Sequence, residues 1–347
     1  MFITYSCEGV DEEDLDTFHN VEGFKRNRVP YKNIDLSGYT TSDKVGLLDA
    51  DWLAYSVCCT LSPWDEDYVA KGRINKKIAA FVEASGCNKL IVFCGSTGNF
   101  RFDLLLPKRI NTVADNSGKY KANRKDQEAP PYLEEIKDWL MRKHPSWWAV
   151  CMEADDAIVI SSVDLTSRGI ESYIFGIDKD YNQIHGGGLA IVGHQDIPTF
   201  YKECEENRLG ELRIISRTVV RENGTSYVVK DVKGHGDKFL VYQCLTEDTA
   251  DNYSAKNFLK NNFNAGNFGD QVAVKYINQA TTRKELWELY IQHFESKLPT
   301  EFEYEAWNGT IVKATPFDIA DLYFKCACMI RKEGTRPDLK SYMEGIE

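Results

Sequence analysis

The sequence predicts an α/β protein: a mainly parallel central sheet flanked by helices, followed by a mostly helical C-terminal region with a β-hairpin insertion. Short apolar runs recur along the first part of the chain, as in strands buried on both faces. Segments with helical spacing separate them, which is how parallel strands are connected. Further on, an Asn-Gly pair between two β-branched runs marks a hairpin.

Residues 1–43 are acidic, then polar, with no clear period, and are expected to form an N-terminal extension. Lys44-Val-Gly-Leu-Leu-Asp49 predicts the first strand. Ile74, Ile78, Phe81 and Val82 are spaced for a helix over 73–85, and Gly86 stops it. Apolar runs at 89–94, 147–152, 172–177 and 189–192 predict four more strands. A helix over 154–168, closed by Gly169, fits between the third and fourth. The runs 212–220 and 226–229 flank Glu222-Asn-Gly-Thr225 as the hairpin. From Phe239 onward the pattern is helical and polar, ending in a helix over 316–332. The expected domains are thus an extension (1–43), a catalytic α/β domain (44–200) and a helical region (201–347).

Bulk properties bound the function. The chain has 347 residues, 43% of them hydrophobic and 27% charged, values of a globular protein with one or two domains. No apolar run approaches the roughly 18–20 residues of a spanning helix, and the N-terminus lacks the basic start of a secretory signal. A cytoplasmic protein with no membrane partner is expected. The 10 cysteines contain no C-x-x-C pair, which argues against structural zinc and for free thiols in a reducing compartment. The net charge of −11 opposes a simple nucleic-acid binder unless some of the acids bind cations.

The acids are not evenly spread. Asp49 and Asp51 end the first strand, and Glu153, Asp155 and Asp156 follow the third. Asp178 and Asp180 follow the fourth, and Asp248 and Asp251 lie three apart. Taken alone, each group has an ordinary explanation: a strand-end turn, acids at a helix N-terminus, or a solvated helix face if 246–253 is helical. Together they deliver acids from several segments toward the carboxyl edge of a parallel sheet, where such folds bind ligands. Cations are the natural remedy for that repulsion, and Mg²⁺ prefers oxygen ligands. Two ions about 3.5–4 Å apart suit phosphodiester cleavage. Arg101 and the cluster Lys119-Tyr120-Lys121-Ala122-Asn123-Arg124 supply cations able to grip a phosphate, and Tyr120 could stack on a base.

The order of these motifs resembles the 5′→3′ exonuclease and flap endonuclease superfamily with its PIN-like nuclease domain. It is most similar to replication-associated exonucleases of short-tailed bacteriophages. The resemblance spans about 44–255 and rests on Tyr120-Lys-Ala-Asn-Arg124, Glu153-Ala-Asp-Asp156, Asp178-Lys-Asp180 and Asp248-Thr-Ala-Asp251. It implies a Mg²⁺-dependent nuclease (two ions, Mn²⁺ substituting) acting at 5′ ends of duplex DNA and on RNA–DNA hybrids, with 5′-phosphate products. Phage replication, primer removal, recombination and host-DNA breakdown are the implied settings. Asp49, Glu153, Asp155 and Asp156 would hold the first ion, and Asp178, Asp180, Asp248 and Asp251 the second. Lys121 and Arg124 would act on the scissile phosphate together with the Asp49 and Asp155 site. Arg101 and Lys119 would bind substrate, and Tyr120 would stack at the unpaired end. A monomer is expected, with a single-strand-binding protein among its replication partners.

The chain departs from the family pattern in several places. The second strand ends Phe93-Cys94-Gly95-Ser96, without the family's Asp. Glu247 replaces a Gly, and Ser254-Ala255-Lys256 replaces a glycine-rich hairpin. An extra stretch covers 104–119, and the segment from Arg124 to Trp147 is too short for a large arch, so an open cleft or short lid is expected. Other readings of the same residues are a structure-specific flap endonuclease, a nuclease-like DNA-binding protein without catalysis, and a haloacid-dehalogenase-like phosphatase using Asp49-Ala-Asp51.

Overall fold

In the computed structural model, the run Lys44-Val-Gly-Leu-Leu-Asp49 forms β1 (Lys44–Asp49), buried at every residue after Lys44. The structure describes residues 32–95, 98–109, 118–122, 128–184, 188–192, 198–202, 208–221 and 224–346. The other strands of the sheet are β2 (Lys89–Gly95), β3 (Ser146–Ala149), β4 (Glu171–Phe175), β5 (Gly188–Val192) and β6 (Pro198–Lys202). They form a six-stranded sheet in the order β3-β2-β1-β4-β5-β6. The pairs β1–β2, β1–β4, β2–β3 and β4–β5 are parallel. The chain winds outward from β1 to β3, then crosses back to place β4 on the other side of β1. That reversal is a topological switch point, and Asp49 stands at the carboxyl end of β1 beside it.

The chain divides into two compact units. The first comprises the described residues within 1–100, 129–177 and 187–201; the second, those within 101–128, 178–186 and 202–347. In the first unit, the helices are α1 (Ala50–Cys58), α2 (Asp67–Ser85), α3 (Leu133–Lys143) and α4 (Ala154–Ser167). Leu53 and Val57 of α1, Ile74, Ile78 and Phe81 of α2, and Ile136 and Leu140 of α3 pack into one core with Leu48 and Val92. The predicted helix at 73–85 is the second part of α2, and Gly86 ends it at φ 70°, a left-handed stop that glycine takes at little cost.

Asp51 ties three of these elements. Its Oδ2 accepts the Gly95 N–H at 2.7 Å, and its Oδ1 lies 2.5 Å from Lys137 Nζ of α3. Burial works against the Lys137 charge, but Asp51 outweighs it and the lysine holds its proton to unusually high pH. Gly95 is required at its place: an added Cβ would sit 3.0 Å from the Ala154 nitrogen and 3.2 Å from Asp51 Oδ2.

The second unit is helical around a hairpin. Strands β7 (Glu211–Val220) and β8 (Ser226–His235) pair antiparallel from Glu211↔His235 to Val220↔Ser226. The second arm is longer than the sequence predicted, because the mostly polar residues 230–235, of which only Lys230 and Lys233 are exposed, continue the ladder. Then follow α5 (Gly236–Leu245), β9 (Glu247–Asp248), β10 (Tyr253–Ser254), α6 (Ala255–Phe263), α7 (Asp270–Ile277) and α8 (Arg283–Glu295). After these come β11 (Phe302–Glu305), β12 (Ile311–Ala314), α9 (Pro316–Ala327) and α10 (Leu339–Glu344). Leu240, Trp287, Tyr290, Phe294 and Phe324 are fully buried at its centre. Asp237, also fully buried, accepts from Arg283 Nε (2.8 Å), Trp287 Nε1 (3.0 Å) and Tyr342 OH (2.8 Å), joining α5, α8 and α10.

Two expectations are corrected here. The helix predicted over 316–332 ends at Ala327, and residues 328–330 are buried in irregular backbone. Cys58, Cys59, Cys87, Cys94, Cys244, Cys326 and Cys328 are free thiols as expected, but Cys151 is disulfide-bonded. Among the described residues, no helix is long and apolar enough to cross a membrane.

Lys137→Met leaves Asp51 without its cation and should cost about 1–3 kcal/mol of stability, read by urea or thermal unfolding. In a double-mutant cycle, Asp51→Ala and Lys137→Met should couple. Additivity within about 0.5 kcal/mol would contradict the tie.

Candidate metal centre

In the second unit, Asp178 precedes a 3₁₀ turn (Lys179–Gln183), and its Oδ1 accepts the Asp180 N–H at 2.9 Å. This local bond fixes where Asp180 leaves the chain. A second turn joins β9 to β10, whose register pairs Asp248 with Tyr253. Asn252 closes that turn at φ 62°, a conformation asparagine tolerates. Asp248 Oδ1 accepts the N–H groups of Ala250 (2.9 Å) and Asp251 (3.2 Å). The sequence left a helix open over 246–253. The residues form a tight antiparallel turn instead, and the turn itself brings Asp248 and Asp251 together. Ligand oxygens of Asp180, Asp248 and Asp251 all lie within 4.8 Å of one another.

That spacing is electrostatically costly. Two full charges 4.8 Å apart repel by about 3–4 kcal/mol at an effective dielectric near 20. Burial, then Asp178, Asp251 and Asp248, push the Asp180 carboxyl well above the usual carboxylate range. Partial relief comes from neighbours among the described residues. Lys179 Nζ lies 2.8 Å from Asp248 Oδ2, Lys121 Nζ lies 3.5 Å from Asp251 Oδ1, and Gln243 of α5 donates its amide to Asp180. Among the described residues, two ammonium groups, Lys179 and Lys121, face this group of carboxylates. The donors are all oxygens, which suits Mg²⁺ or Mn²⁺ rather than zinc or copper. Tyr253, 2% exposed, has a hydroxyl with no hydrogen-bond partner among the described residues, and burial and the nearby acids raise its pKa. An orphaned donor beside crowded carboxylates fits a centre whose polar groups await an ion and its waters.

The basic segment is bolted to this turn. Tyr120 OH donates to Asp251 Oδ2 at 2.7 Å, Lys121 N–H to the Asp251 carbonyl at 3.0 Å, and Asn252 Nδ2 to the Lys119 carbonyl at 2.7 Å. Two expected substrate contacts are thereby corrected. Tyr120 is 2% exposed, so its ring is core and its hydroxyl orients a carboxylate; it does not present a face to a base. Arg101 is also 2% exposed, with Nη2 on the Cys328 carbonyl at 2.8 Å, so it anchors backbone and is closed off from a phosphate. Lys119 is half-buried with Nζ 4.6 Å over the Trp307 ring. Arg124 lies outside the described residues.

The other predicted acids belong to the first unit. Asp49 ends β1 and caps α1, its Oδ1 accepting the Trp52 N–H at 2.9 Å. Glu153 opens α4, and buried Asp156 turns back to accept its N–H at 3.1 Å. Asp155 is partly exposed between them. Helix capping thus explains part of this cluster, and among the described residues no second group of three ligand atoms meets as Asp180, Asp248 and Asp251 do. The missing carboxylate after β2 has a steric counterpart, since Asp51 faces the position where a Gly95 side chain would stand. Asp51 is committed to Gly95 and Lys137, which leaves the phosphatase reading without its second acid. Sequence reasoning missed Lys179, Gln243 and Tyr253 as members of the centre. Lys179 was legible inside Asp178-Lys-Asp180; Gln243 carries no local pattern that marks it.

No protein-family model matches the sequence, and no curated protein matches it. Among solved structures, a T5 protein co-crystallised with metal ions is similar over 86% of this chain and 91% of its own, at 12% identity and a TM-score of 0.48. A mutant of T5 5′-exonuclease is similar over 87% and 90%, at 11% identity and 0.46. A bacteriophage T5 flap endonuclease in complex with DNA and metal ions is similar over 82% and 99%, at 12% and 0.38. At such likeness, the functional reading has to be carried by the geometry of the site.

Tyr120→Phe keeps the ring and removes the hydroxyl's bond to Asp251. It should cost about 1.5–3 kcal/mol, typical of a hydrogen bond to a charged group, and weaken Mn²⁺ binding in a calorimetric titration. A neutral substitution would contradict a part for the hydroxyl in holding Asp251. Asp180 has a raised folded pKa, so its contribution favours folding below the ordinary carboxylate range and is lost as pH rises through the folded value. Metal-free protein should therefore gain thermal stability near neutral pH on Asp180→Asn, while losing the stabilisation that Mg²⁺ gives the parent, about 2.7 kcal/mol at 100 times Kd. A variant that melts lower without metal and still responds to Mg²⁺ would contradict the assignment.

Proposed function

We propose that this chain is a divalent-metal-dependent 5′→3′ exonuclease that hydrolyses phosphodiester bonds at 5′ ends of duplex DNA and of RNA in RNA–DNA hybrids. The observation that carries the reading is the meeting of Asp180, Asp248 and Asp251, from separate chain segments, within 4.8 Å. Bound there, Mg²⁺ supplies an activated water and charge stabilisation for the leaving oxygen. Asp180, Asp248 and Asp251 hold the ion, with Asp178 setting Asp180 and Tyr120 setting Asp251. Lys121 sits at the same carboxylates and answers charge that develops on the scissile phosphate. Asp49, Glu153, Asp155 and Asp156 are assigned to a second ion in the same hydrolysis, and Arg124 to the phosphate. The products carry 5′-phosphates.

The net charge of −11 requires that nucleic-acid contacts be local. The β7–β8 hairpin offers one: its sequence carries Arg213, Arg217, Arg221, Lys230 and Lys233 against Glu211, Glu222 and Asp231, with Arg221 lying 4.9 Å over the Tyr227 ring. Helical phosphates meet such a ribbon through point charges, so affinity should fall with salt.

Incubation of the protein with 5′-labelled and 3′-labelled duplex in Mg²⁺ tests the reading. Labelled mononucleotides should appear first from the 5′ label. Release of intact single-stranded flaps would move the assignment to flap endonuclease, and no release with Mg²⁺ or Mn²⁺ would end it. Asp155→Ala, Asp178→Ala and Asp180→Ala should each abolish turnover in a folded protein. Lys121→Ala should lower the single-turnover rate more than DNA affinity. Affinity loss at an unchanged rate would remove it from catalysis.

A further inference from the structure

We propose that the second unit holds a separate pocket for a nucleoside 5′-monophosphate, walled by Arg109, the asparagine face of α6 and the β10 strand. The choice of ligand rests on the nuclease reading, since mononucleotides are the product of that reaction; the pocket itself does not.

The cavity measures about 330 Å³, at the small end of ligand pockets and enough for one nucleotide. Among the described residues no carboxylate lines it, in contrast to the metal centre. Its two charged side chains are Lys108 and Arg109. Lys108 is already paired, with Glu305 at 2.8 Å. Arg109 is half-buried, and its Nη2 is enclosed with no hydrogen-bond partner. A guanidinium stays charged and needs acceptors, so an enclosed, unmatched N–H of this kind is a costly group that an anion would satisfy. A phosphate fits the planar fork in a bidentate manner.

The opposite wall is different. Asn257 and Asn261 are four apart on α6 and share a face. Asn257 Nδ2 is engaged by Glu247 at 3.1 Å, while Asn261 makes no side-chain hydrogen bond among the described residues. Primary amides offer a donor and an acceptor together, the pattern carried by base edges. Phe258 and Tyr323 back the pocket from the core, buried to 5% and 2% exposure, so they shape its floor and offer no open ring face. A phosphate end and an amide edge within one cavity match a mononucleotide better than inorganic phosphate, which uses only the first. The β10 wall follows directly on the turn that carries Asp251, and its Tyr253 pairs with Asp248 of β9, so an occupant lies against a strand that adjoins two of the three carboxylates. Product bound there is placed to tune the centre.

Isothermal titration of the full chain with 5′-dAMP, in EDTA so that no metal chelates the phosphate, tests the proposal. Saturable binding at one site is expected, tighter than for inorganic phosphate or deoxyadenosine. Arg109→Ala should weaken 5′-dAMP at least tenfold and leave Mn²⁺ binding to the carboxylate centre unchanged. Arg109→Lys should recover part of the loss, which separates lost charge from lost fold. Equal affinity for phosphate and 5′-dAMP, binding only to oligonucleotides, or no effect of Arg109→Ala would each overturn it. The assay needs neither metal nor turnover. Its failure leaves the nuclease reading standing, and failed cleavage leaves the pocket standing.

Discussion

Mutual repulsion of carboxylates is the constraint around which the second unit is organised. Asp180, Asp248 and Asp251 approach within 4.8 Å, a distance that ordinary packing avoids because each added charge must be offset. The surrounding residues read as responses to that cost. Lys179 and Lys121 each give one carboxylate a cation, Gln243 and Tyr120 each give one a hydrogen bond, and the Asp248 turn satisfies its own backbone.

The same segment serves two ends. Residues 119–121 were legible as a basic patch, and their cationic character survives in Lys121. The structure adds that Tyr120 is core and that the backbone of Lys121 and Lys119 is bonded to residues 251 and 252. The placement of the lysine charge therefore depends on the turn that places the carboxylates, so the two halves of the centre are positioned together.

Much of the fold was legible because parallel strands buried on both faces are written as apolar runs. β1, β2, β4 and β5 fall within a residue or two of the predicted spans. β3 was set too late, because Val150, Cys151 and Met152 extend its apolar run beyond the strand's end. α1 and α3 were missed. α1 is short and begins at once after β1, fixed by the Asp49 cap, and α3 shows its apolar positions Ile136 and Leu140 only when their partners are known. In the site, residue types were legible and duties were not. Asp51, Tyr120 and Arg101 take their roles from Gly95, Asp251 and Cys328, each remote in sequence. Local pattern fixes what a segment is; only the fold tells whom it meets.

Anomalous diffraction from a Mn²⁺-soaked crystal tests the central claim most directly. The account predicts a metal peak ringed by oxygens of Asp180, Asp248 and Asp251. A crystal with Mn²⁺ bound elsewhere, and these three carboxylates satisfied by Lys179 and Lys121 alone, would contradict it.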